Sequence, residues 1–123
     1  MVVILIAGFL AAAAIPIIRG RIDSAKWSEG RAGAGSIRTA ARAFCAEKGP
    51  LWGAVNYAAT TITDLGFQAG DLNGKYFVDG DYAITFTAYD DYLITVTAGG
   101  AGADAPTVPA STTMNDTGDW DLP

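Results

Sequence analysis

The chain has 123 residues, is half apolar and carries a formal net charge of −5, which leaves room for one small domain. It has no histidine and one cysteine, Cys45, so the commonest general base and metal ligand are missing and no disulfide can close within the chain. Charge is divided: residues 1–50 sum to +4 and residues 51–123 to −9, with Lys75 the one basic group among ten aspartates, which disfavours nucleic-acid binding through the second part.

Met1 to Ile18, MVVILIAGFLAAAAIPII, has no charge and no strong hydrogen-bonding side chain, and reaches the length at which an apolar stretch is a transmembrane-helix candidate. Arg19 and Arg21 end it, without the small-residue cleavage site of a signal peptide. The helical pattern continues through Ile22 and Ala25 to about Lys48, which gives a rod of roughly 70 Å. Residues 1–18 are expected to form an apolar stalk, 19–48 its amphipathic continuation and 49–123 a head.

The stretch MVVILIAGFLAAAAIP, with Gly8 and Pro16 at this spacing, resembles the amino-terminal helix of the type IV pilin and pseudopilin superfamily. The match covers Met1 to about Arg21 and extends more weakly along the helix. The family's cleavage site, first aromatic residue and glutamate have no counterpart here. The chain is therefore either a form lacking its leader and about six first residues, the expectation favoured here, or a divergent member. The resemblance implies a helical homo-oligomer whose subunits wait in the inner membrane, are raised by an inner-membrane assembly machinery and end as a cell-surface filament. It implies that Ile4, Leu5, Phe9, Leu10, Ile15, Ile17 and Ile18 pack the filament core. It also implies that the helix opens between Gly8 and Pro16 on assembly, although the alanines between them favour an intact helix. Arg19 and Arg21 alone would place the carboxyl side in the cytoplasm, and the resemblance implies the opposite orientation.

Further along the helix, Gly30, Gly33 and Gly35 suit either a close approach of neighbouring helices or a frayed segment. Ile37, Ala41, Phe44 and Cys45 form an i, i+4, i+7, i+8 stripe for packing on a core, with Cys45 as a small buried apolar residue. Gly49-Pro50 stops the helix. A connecting segment follows, with a short helix expected within Thr60–Leu65 and ended by Gly66.

Tyr82, Ile84 and Phe86, and then Tyr92, Ile94 and Val96, alternate with Ala83, Thr85, Leu93 and Thr95 around Tyr89-Asp90-Asp91. This pattern predicts an antiparallel hairpin with one face on the core, and Asp90-Asp91 as its tip rather than a catalytic pair. Tyr76 to Val78 is expected to add a third strand through the Asp79-Gly80 turn, so the sheet should occupy about 76–98. The fold class is α+β: a long helix packed on a small antiparallel sheet, followed by an irregular tail.

That tail, from Gly99, is rich in glycine, proline and threonine. Its end, Asn115-Asp116-Thr117-Gly118-Asp119-Trp120-Asp121, holds oxygen ligands of the kind calcium takes, with Asp116, Asp119 and Asp121 as candidates. The major pseudopilins of type II secretion are similar in carrying a carboxyl-terminal calcium loop. A solvated acidic loop explains the same residues, and Asn115-Asp116-Thr117 is also a formal glycosylation acceptor. The expected function is a filament subunit, either a major pilin or a major pseudopilin. The alternative from another class is a membrane-anchored binding module that stays single.

Overall fold

The computed structural model describes the backbone of residues 2–121, and the side chains of these apart from residues 10–20. A single helix, α1 (Val2–Lys48), forms the rod. It closes where Gly49, at φ 72°, donates its N–H to the Cys45 carbonyl at 2.8 Å and Pro50 blocks another turn. The expected stop is therefore in place.

The second half of α1 is sunk into the head. Trp27, Gly30, Ala34, Ile37, Ala41 and Cys45 are buried and recur every three or four residues, which is one face of a helix. The expected stripe is present, with Phe44 at its half-buried margin, and it reaches back beyond Ile37 to Trp27. Ala25, Ser28, Ala32, Ser36 and Thr39 lie exposed on the other side. The hydroxyls of Ser28, Ser36 and Thr39 each donate to the carbonyl four residues earlier, at 3.0–3.3 Å.

After α1 come a 3-10 turn at Pro50–Trp52, a short helix α2 (Ala54–Ala58) and a second 3-10 turn at Thr63–Leu65. The last is the short helix expected there, and Gly66 closes it in the left-handed conformation. Helix α2 had no counterpart in the expectation. It carries Tyr57 into the core against Phe44, Trp52 and Phe86.

The sheet has four antiparallel strands in sequence order: β1 (Tyr82–Ala88), β2 (Asp91–Thr97), β3 (Ser111–Asn115) and β4 (Trp120–Asp121). Period-2 alternation puts Tyr82, Phe86, Tyr92, Ile94, Val96, Thr112 and Met114 inward, on the side that meets α1. The β1–β2 hairpin pairs Ile84 with Ile94 and turns at Tyr89-Asp90, with Asp90 at φ 54° and a register shift after Phe86. Aspartate tolerates that conformation because its short side chain bonds locally.

Two expectations fail. Tyr76 to Val78 is not a strand, and the sheet starts at Tyr82. The backbone groups that a ladder would use are taken by side chains: Tyr76 N and Phe77 N donate to Glu29 Oε1 at 3.1 Å, and Val78 N donates to Asp81 Oδ2 at 3.0 Å. The tail is also not irregular throughout, since it supplies β3 and β4. Ser111-Thr112-Thr113-Met114 lacks an apolar alternation, but every threonine suits a pleated surface and β2 offers a free edge.

Gly30 and Gly33 serve the chain's own head rather than a neighbouring helix. A Cβ on Gly30 would stand 2.8 Å from Phe77 Cζ, and one on Gly33 2.5 Å from Tyr82 Oη. Phe77 lies 5.0 Å from Trp27 and 6.1 Å from Tyr82 between ring centroids, so none of the three rings has room to withdraw. Gly35 has nothing within 4 Å of its Cβ position.

The three glycines should therefore answer differently to alanine. Each gains about 1 kcal/mol of helix propensity. At Gly30 and Gly33 overpacking of about 1–3 kcal/mol opposes that gain, and both variants are expected to melt below the parent chain. Gly35→Ala is expected to melt above it. Thermal denaturation of the full chain in detergent micelles, followed by circular dichroism, tests this order.

Candidate functional site

The first part of α1 stands clear of the head. Val2, Val3, Ile4, Leu5, Ile6 and Phe9 are between 56% and 78% exposed. At 100° per residue, Val2 to Ile6 pass through more than a full circle, so the helix is apolar on every side and has no solvated face. Ile4, Leu5 and Phe9 were the expected packing residues in this stretch, and Val2, Val3 and Ile6 are exposed in the same way. Leu10, Ile15, Ile17 and Ile18 lie outside the residues whose side chains are described, as does Pro16. Among the described residues no helix is long and apolar enough to cross a membrane. Most of the expected transmembrane run falls outside them. Gly8 has nothing near its Cβ position. The opening between Gly8 and Pro16 is an expectation for the assembled state, and in the single chain α1 continues through it.

At the other end, the acidic loop holds itself closed. Asn115 Oδ1 accepts from Asp119 N at 2.8 Å, and the one hydrogen of Thr117 Oγ1 is shared between Asn115 Oδ1 at 2.7 Å and Asp119 Oδ2 at 2.8 Å. Asp121 is exposed in β4, paired across the ladder with Thr113. Asp116 presents its carbonyl to Arg38 Nε at 3.1 Å. Among the described residues, no group of three carboxylates or thiols could hold a metal, so Asp116, Asp119 and Asp121 are not brought together as a ligand set.

The tail is fastened along α1. Asp23 Oδ2 accepts from Thr107 Oγ1 at 3.0 Å, and Trp27 Nε1 donates to the Pro109 carbonyl at 3.1 Å. Arg31 lies 5.9 Å over the Trp120 ring, and Arg38 bonds Asp116 as above. Trp120 is half-buried beside this contact. These four helix residues are spread along four turns of one side of α1, and the tail runs beside them.

Three carboxylates that the sequence did not single out organise the loops between α1 and β1. Glu29 holds Tyr76 and Phe77 as described. Asp81, buried at 7% exposure, accepts from Val78 N through Oδ2 and from Gly100 N through Oδ1 at 2.9 Å. Asp79 accepts from Gly70 N and, at 2.8 Å, from Leu72 N. The visible signal was only their placement beside glycines, Glu29-Gly30 and Asp79-Gly80-Asp81. The same carboxylates surround Tyr82. Burial, followed by the negative charges of Glu29, Asp81 and Asp79, pushes its phenol up to about 12. Burial also raises the Cys45 thiol above its ordinary range, which leaves it inert. No known protein family, curated protein or solved structure matches the chain.

The Tyr82 shift sets an alkaline limit. An unfolded chain releases a tyrosine proton near pH 10, while folded Tyr82 keeps its proton to about 12. The folded state therefore binds more protons in that window, and stability should fall as pH rises from 10 to 12. Tyr82→Phe is expected to flatten the fall and to remove the last-titrating phenolate in absorbance at 295 nm.

Calcium is expected to be dispensable. Melting temperatures of the full chain in excess calcium and in a chelator should agree, whereas Trp27→Phe, which leaves Pro109 without its donor, should lower stability by about 1 kcal/mol.

Proposed function

We propose that this protein is a structural subunit of a helical filament of the type IV pilin kind, joined to its copies through the apolar first turns of α1. The observation that carries the reading is the exposure of Val2 to Ile6 and Phe9 on every side of a helix that the head leaves uncovered. Burying such a side chain contributes about 1.5–3 kcal/mol, so six of them supply a strong adhesive term that one chain cannot collect alone. A bilayer would cover the same surface before assembly. The head suits the outside of a polymer: it is acidic, and its aspartates cap turns and loops rather than facing a reaction centre. The resemblance around Gly8 and Pro16 agrees with this reading.

Replacing Leu5 or Phe9 with aspartate should abolish filaments while leaving the far-ultraviolet spectrum and melting of the head unchanged. Electron microscopy of material sheared from expressing cells gives the readout. Normal filaments from either variant would sink the proposal.

A further inference from the structure

The loop that leads into β1 contains the pair Asn73-Gly74, with both residues at the surface. An asparagine followed by glycine is a chemically weak point in any polypeptide. The glycine nitrogen can attack the side-chain carbonyl carbon of the asparagine, because no glycine side chain hinders the approach. A C–N bond forms, the side-chain nitrogen leaves as ammonia, and the product is a cyclic imide. Water then opens the ring at either carbonyl. One opening gives an aspartyl residue, and the other an isoaspartyl residue, whose main chain runs through the former side chain. Water is the one co-reactant.

The fold requires glycine at position 74. A Cβ there would collide with the Glu29 carboxylate, the group that accepts from Tyr76 N and Phe77 N at 3.1 Å. The weak pair is therefore a consequence of the clamp that ties residues 76–77 to α1. The same clamp holds the reacting atoms. Gly74 donates its N–H to the Phe77 carbonyl at 2.8 Å, and Phe77 is fully buried, so that hydrogen is withheld from solvent base and the nitrogen is no nucleophile. Asn73 Oδ1 accepts from Asp79 N at 2.8 Å, and Asn73 N donates to the Gly70 carbonyl at 3.2 Å, which fixes the side chain. The Asp79 N–H also polarises the carbonyl under attack. The electrophile is thus prepared, and the bond from Gly74 to Phe77 keeps the nucleophile from it.

We propose that Asn73-Gly74 is a self-modification site, kept unreacted by the Glu29 clamp and converted when the clamp opens. Local opening of residues 74–77 gives the Gly74 N–H to solvent base, and ring closure follows. The two products differ in effect. An aspartyl residue keeps an oxygen for Asp79 N and the same main-chain length. An isoaspartyl residue adds one methylene to the main chain beside Gly74, where Glu29 leaves no slack, so the Tyr76 and Phe77 N–H groups cannot return to the carboxylate. That product does not close again, and the opening becomes irreversible. The attachment of the head to α1 thereby carries a one-way mark of having been opened.

The test incubates the full chain in detergent micelles in mildly alkaline buffer, folded or in urea, and follows Asn73 by peptide mapping with mass spectrometry. In the folded chain the amide should be lost at least roughly tenfold more slowly than in urea. Glu29→Ala, shown by circular dichroism to be folded, should speed the loss several-fold. Glu29→Gln, whose amide oxygen still accepts from both N–H groups, should keep the parent rate. Isoaspartyl chains, aged in urea, refolded and isolated by ion exchange, should melt below the parent, and Asn73→Asp should melt with it. Equal rates in the folded chain and in urea, a parent rate in folded Glu29→Ala, or an isoaspartyl chain that melts with the parent would overturn the inference. Where Glu29→Ala does not fold, hydrogen exchange of the Gly74 amide in the parent takes its place. Exchange that rises with temperature in step with the loss of Asn73 supports the inference, and exchange as fast as in urea overturns it.

Discussion

Phe77 and Tyr82 reach the surface of α1 where Gly30 and Gly33 omit a side chain, and Trp27 closes the group from the helix side. The first grip of the head on the rod is arranged around that close approach. It brings the 76–77 backbone within reach of Glu29, seats the start of β1 against the helix, and so sets the depth at which β2 meets Ile37 and Ala41. A second aromatic group, Phe44, Trp52, Tyr57, Phe86 and Tyr92, does the same work near the end of α1. The head is thus gripped at two places along the helix. Among the residues whose side chains are described, Val2 to Phe9 take no part in that grip and remain exposed.

Ion pairs have almost no part in this cohesion. The one close pair among the described residues, Lys48 with Glu47, is on the surface, where such contacts contribute little. The basic side chains of α1 are used in other ways: Arg38 donates to a carbonyl, and Arg31, Lys26 and Lys48 lie over aromatic rings. In the head, Asp64, Asp71, Asp79 and Asp81 accept backbone N–H groups. The charge asymmetry between the two parts of the chain is therefore a set of local hydrogen-bonding roles in this molecule, and it leaves a surplus of negative charge facing outward.

Periodicity made the long elements legible. Helix α1 needed only an apolar run, a continuing stripe and Gly49-Pro50, and the β1–β2 hairpin needed only alternation about a polar turn. The tail was hidden because β3 pairs through its backbone and through threonines, whose fitness for a sheet depends on a neighbour the sequence does not show. Tyr76-Phe77-Val78 misled for the complementary reason: a strand-like composition was diverted by one glutamate forty-seven residues away. Asp116, Asp119 and Asp121 read as candidate metal ligands because they are close in sequence, and the structure does not bring them together. Of the candidate site, the apolar run was evident from the first residues, whereas a recess beside β1 exists only once the loop 61–72 has been placed in three dimensions.

The clasp between α1 and the tail also dictates an order of events during synthesis. Trp27 and the carbonyl it binds are 82 residues apart, and Arg38 and Asp116 are 78 apart. At about 5–20 residues per second, the helix waits about 4–16 s after Trp27 is made before Pro109 exists. Throughout that interval the clasp cannot form, and Phe77, β1 and β2 are made before it. The rod and the first three-quarters of the head are therefore made before the contacts that clasp the tail to α1 can close.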